Sequence, residues 1–107
     1  MTPEGKVKTW LTEALKKALP GCIIYKPPGG PFGRAGEPDL HICYHGLLCV
    51  IEVKAEGQDP TPLQTKRLQD YQTAGAIAAV IRGKDFERLA IIVDKIMEKS
   101  LCLPQDK

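Results

Sequence analysis

Leu47-Leu-Cys-Val-Ile51 is apolar at every position, and this run limits the possible folds more than any other stretch of the chain. A β-strand sends alternate side chains to opposite faces. A strand apolar on both faces must therefore be covered on both, which makes it central in its sheet. The run passes directly into Glu52-Val53-Lys54. Charges thus arrive at the end of a buried strand, at the edge of a cleft rather than on an open solvated face.

A second apolar run ends at Tyr44, and His45-Gly46 stands between the two. Glycine at the second turn position accepts the positive φ of a tight hairpin, so the pattern predicts a two-residue loop. Pairing Tyr44 with Leu47 carries Asp39 opposite Glu52, where cross-strand Cβ atoms lie about 4.5 to 5.5 Å apart. Lys54, two residues beyond Glu52, falls on the same face. Two carboxylates this close raise one another's pKa unless a cation lies between them, and hard divalent ions prefer such oxygen donors. The cluster reads as a metal site with an attendant ammonium. The competing reading is a surface ion pair bridged by Lys54, worth ~0 to 1 kcal/mol; the doubly apolar strand argues against it.

Gly36-Glu-Pro38-Asp39, the apolar hairpin and Glu52-Val53-Lys54 together resemble the PD-(D/E)xK nuclease signature. The narrower likeness is to its VRR-NUC (virus-type replication-repair nuclease) branch. It rests on Glu4 opening a helix, Gly29-Gly-Pro-Phe-Gly-Arg34 before the motif, Thr61-Pro-Leu-Gln64 after it and Gly75-Ala-Ile-Ala-Ala-Val80 beyond. The resemblance implies a small α/β, restriction-endonuclease-like core, a mixed sheet flanked by helices in the order αβββαβα.

The flanking segments fit that order. Thr2 caps a helix with Pro3 at its first position, and Val7, Trp10, Leu11, Ala14, Leu15 and Ala18 recur at helical spacing until Pro20-Gly21. Glu4 suits the helix dipole; the resemblance instead makes it an additional acid near the site, ahead of Glu13. Cys22-Ile-Ile-Tyr25 reads as a short strand. Six of the eight residues after Lys26 are glycine or proline, which predicts a long loop leading into Asp39. Its length and place make Lys26 and Arg34 candidates for phosphate contact.

Thr61 as N-cap, Pro62 at N1 and Gln64 at N3 form a capping box opening a helix that Gly75 stops. Gln64 therefore has a structural explanation, while the resemblance places it at the active-site rim as an auxiliary catalytic residue. Lys66, Arg67 and Lys84 are further phosphate-contact candidates. Ala76-Ile-Ala-Ala-Val-Ile81 reads as a buried strand. Asp85 caps a last helix whose buried face is Phe86, Leu89, Ile92, Val93, Ile96 and Met97, followed by a polar tail with Pro104.

At 107 residues the chain reads as one domain, 1–107. A net charge of +2, from 15 Lys and Arg against 13 Asp and Glu, does not announce a nucleic-acid binder, so any basic footprint is local. No apolar stretch approaches a membrane span or signal segment, and the chain reads as cytoplasmic. Cys22, Cys43, Cys49 and Cys102 lack CxxC spacing and read as free, core-filling thiols.

The resulting expectation is a metal-dependent DNA endonuclease of replication, repair or recombination, in a bacterial or phage-infected cell. Asp39, Glu52 and the Val53 carbonyl would hold Mg²⁺ or Mn²⁺, with Lys54 orienting or deprotonating the attacking water. The resemblance implies a homodimer acting on branched, Holliday-junction-like DNA. The alternative is a non-catalytic or partner-dependent DNA-binding module of the same fold.

Overall fold

A computed structural model describes residues 1–102; the tail with Pro104 lies outside the described residues. The elements run α1 (Pro3–Ala18), β1 (Ile23–Tyr25), β2 (Leu40–Tyr44), β3 (Leu47–Lys54), α2 (Pro62–Thr73), β4 (Ile77–Arg82) and α3 (Phe86–Cys102), with one 3₁₀ turn at Gly30–Phe32 in the long loop. The expected order αβββαβα is the observed one.

The four strands form one mixed sheet, β1-β2-β3-β4, with β3 interior. β2 pairs antiparallel with β1 on one side and β3 on the other, and β4 runs parallel to β3 after the α2 crossover. Tyr44 pairs with Leu47 and Leu40 with Ile51, the register anticipated from the hairpin. His45 (φ 50) and Gly46 (φ 82) both occupy the left-handed region, as a type I′ turn requires. The ladder stops at Leu40, so Asp39 enters the site from the residue just before β2.

Leu40, Ile42, Leu47, Cys49, Ile51, Val53, Ile77, Ala79 and Ile81 share one sheet face, packed against Val7, Leu11 and Leu15 of α1 and Leu89, Ile92 and Ile96 of α3. Val50 and Glu52 point to the opposite face, where α2 lies across β3 and β4. Both faces of β3 are covered, which is why its whole apolar run is needed. No helix among the described residues is long and apolar enough to cross a membrane.

Some expectations of burial fail. Phe86 is 68% exposed and Met97 is also exposed; Phe86 begins α3 and makes an edge contact with Trp10 of α1 (ring centroids 5.0 Å). Helical spacing cannot tell the end of a helix from the part that meets the core. Of the four free cysteines Cys49 fills the core, where burial pushes its thiol up to about 12, and half-buried Cys22 packs against that core; Cys43 and Cys102 are exposed. Strand alternation puts Cys43 on the face and at the end of β2 that α2 leaves open.

Candidate active site

Asp39, Glu52 and Lys54 converge at the end of β3, as the hairpin register demands. Asp39 Oδ2 accepts a 2.8 Å hydrogen bond from the Val53 N–H, which stitches the residue before β2 onto the strand carrying Glu52. Lys54 Nζ lies 3.4 Å from Glu52 Oε2. Glu52 is 1% exposed, and its Oε1 has no hydrogen-bond partner among the described residues. Burial first, then the Asp39 charge, raise the Glu52 carboxyl to about 7 against the weaker opposing pull of Lys54. A buried acid with one oxygen left unpaired costs stability unless a cation or proton satisfies it.

Lys8, on α1, completes the cluster and had no signal in the sequence. Its Nζ lies 3.1 Å from Asp39 Oδ1 and 3.9 Å from Glu4 Oε1. Glu4 thus touches the site through Lys8. Only docking of α1 against the sheet end brings Lys8 to Asp39, and no spacing rule connects residues so far apart.

A second polar group lies on the same sheet face, one strand alternation from Asp39. Glu37 Oε2 accepts a hydrogen bond from the Tyr71 hydroxyl and lies 2.8 Å from His41 Nε2, and Arg34 is 3.7 Å from Glu37 Oε1. Tyr71 rises above its ordinary pKa through burial and the Glu37 hydrogen bond. These contacts pin the loop before Asp39 to α2. Gly36 (φ 75) is needed there because a Cβ would stand 2.7 Å from the Leu63 Cγ, while Arg67 Nε donates to the Ala35 carbonyl.

The donors at the strand end fit a hard divalent cation: two carboxylates, one with a buried unpaired oxygen, beside the Val53 backbone. No cluster of three or more His, Cys, Asp or Glu side chains is arranged to hold a metal among the described residues. Two carboxylates and a carbonyl leave several positions for water and substrate, the open arrangement Mg²⁺ favours.

The other candidates are spread differently. Gln64 closes the capping box: its backbone N–H donates to Thr61 Oγ1 and its Oε1 accepts from the Thr61 N–H. Arg34, Lys66 and Arg67 gather around Asp70, at 3.9, 3.1 and 3.7 Å. Lys26 and Lys84 are exposed.

No family model matches the sequence, and no curated protein matches it. Solved structures do. One VRR_NUC domain is 26% identical and superposes over 92% of this chain and 97% of its own length, with a TM-score of 0.64. The chain has the fold of a VRR_NUC domain. A VRR_NUC domain protein, 23% identical, shows the same fold over 92% of this chain and 90% of its own, with a TM-score of 0.62. The likeness extends over 92% of the chain, so the hairpin that carries Asp39, Glu52 and Lys54 belongs to a nuclease-type fold rather than standing alone.

Proposed function

We propose that this VRR-NUC domain, residues 1–107, is a metal-dependent DNA endonuclease of the cytoplasm that hydrolyses phosphodiester bonds, selects branched DNA and acts as a homodimer. The observation that carries this reading is the buried Glu52 carboxylate with an unpaired oxygen, set beside Asp39 and Lys54 at the end of the central strand.

Asp39, Glu52 and the Val53 carbonyl would hold Mg²⁺ or Mn²⁺. When bound, such an ion lowers the pKa of a water and offsets the charge that builds on the phosphorus oxygens. Asp39 is held for this role by the Val53 N–H, which fixes one oxygen and leaves the other facing Lys8. Lys54, mostly buried and one strand alternation from Glu52, orients the attacking water and donates to the phosphate. Gln64 is an auxiliary residue: the cap holds its Oε1 at the start of α2 and leaves its Nε2 to donate towards substrate. Arg34, Lys66 and Arg67 form a basic group on α2 and the loop before β2 that grips backbone phosphates, with Lys26 extending it.

The test is cleavage of labelled duplex, flap and four-way-junction DNA by purified protein with Mg²⁺, Mn²⁺ or EDTA, with Glu52→Gln alongside. Cutting that requires the metal and disappears in the variant supports the reading. DNA binding without cutting under any metal would replace it with a non-catalytic or partner-dependent module.

A further inference from the structure

We propose that Lys8 is a positioning residue: it is the resident counter-cation of Asp39, which a divalent ion must displace, and Glu4 receives it on release. This inference rests on the metal-site reading above.

Each acid of the pair has its own ammonium, Lys54 at Glu52 and Lys8 at Asp39. The two differ in setting. Lys54 belongs to the same strand as Glu52 and is mostly buried, whereas Lys8 is 35% exposed and reaches Asp39 from a separate helix. Lys8, at 35% exposed, has more room to swing away than Lys54, at 14%. Asp39 Oδ2 is engaged by the Val53 N–H, so Oδ1, the oxygen Lys8 occupies, is the one free for a metal. An ammonium at 3.1 Å and a divalent ion on the same oxygen repel, so loading the ion weakens the Lys8 contact and the Lys8 contact weakens loading. Glu4, one helical turn before Lys8 and 3.9 Å from its Nζ, offers an alternative partner already in reach. Glu4 so placed favours metal binding without touching the metal.

The test is Mn²⁺ affinity, read from free-ion electron paramagnetic resonance without DNA, in wild type, Lys8→Met, Lys8→Arg, Glu4→Gln and the double variant Lys8→Met/Glu4→Gln. Lys6→Met, an exposed position on the same helix, is the control, and melting in EDTA checks folding. Lys8→Met is expected to bind Mn²⁺ at least about threefold more tightly, and Lys8→Arg to return towards wild type. Glu4→Gln is expected to weaken binding, and to have no effect once Lys8 is Met. Unchanged or weaker binding by folded Lys8→Met would overturn the displacement role. A loss from Glu4→Gln that persists in the double variant would make Glu4 a ligand and overturn its role as receiver. Wild-type protein that binds no Mn²⁺, or binds it equally in Glu52→Gln, would overturn the metal site itself, and this inference with it.

Discussion

Glu52 and Asp70 are both carboxylates with Lys or Arg within 4 Å, yet their acidities move in opposite directions. Asp70 sits on the outer side of α2 with Lys66, Arg67 and Arg34 around it, and the Lys66 hydrogen bond leads the effects that lower its pKa. Glu52 has Lys54 at 3.4 Å, but burial and the neighbouring Asp39 overcome that single ammonium and raise it to about 7. Water and several cations leave Asp70 little to offer another ligand. Glu52 is short of positive charge, which is the condition a metal site needs. Glu37 differs from Glu52 in its neighbours: its Oε2 faces Tyr71 and His41, and its Oε1, like Glu52 Oε1 without a hydrogen-bond partner among the described residues, lies 3.7 Å from Arg34.

The sharpest way to break this contrast is to neutralise Glu52. Glu52→Gln and Asp39→Asn are each expected to reduce cleavage by more than about 100-fold while the protein still folds. A fully active variant of either, in the junction-cleavage assay, would remove these carboxylates from the chemistry. Lys54→Ala is expected to slow single-turnover cleavage about 100-fold with little change in DNA affinity. An unchanged rate would leave Lys54 as a mere counter-ion.

The opposed shifts also predict how metal-free stability depends on pH. Glu52 titrates near 7 when folded and near 4.5 when unfolded. Between those values the folded protein holds a proton that the unfolded chain has lost. Stability in EDTA therefore falls as pH rises from about 4.5 to 7, by roughly 1 to 3 kcal/mol. Asp70, lowered from 3.8, contributes stability that is lost only on acidifying below that range, so the two do not overlap. Urea unfolding at pH 5 and pH 8 should show the fall in wild type and a flat response in Glu52→Gln; an equal fall in both would assign it elsewhere.

Two smaller effects test the α2 side. Gln64→Ala is expected to cost about 1 kcal/mol through loss of the capping box, read as a lower melting temperature. A rate loss larger than the change in folded fraction would support the auxiliary role of its amide. Asp70→Asn frees Lys66, Arg67 and Arg34, and is expected to tighten DNA binding about two- to fivefold and steepen its salt dependence. Unchanged binding would show that these cations do not meet phosphate.

Much of the site was legible because it lies within one hairpin. The turn at His45-Gly46 sets the register, and the register puts Asp39 beside Glu52 by strand geometry alone. The capping box at Thr61 was equally local, since its reciprocal bonds span three residues. In the Asp70 group, Lys66 and Arg67 reach their shared acid from within α2. Arg34 joins them only because the loop folds onto α2.

Pattern and turn chemistry, acting over a few residues, determined the order of elements, the central place of β3 and the pairing of its two acids. Tertiary structure alone decided that Lys8 reaches Asp39, that Glu37 is clasped by Tyr71 and His41, and that one Glu52 oxygen is buried unpaired. Those facts depend on how α1 and α2 dock on the sheet, and docking is governed by the summed packing of many residues distant in the chain rather than by any local spacing.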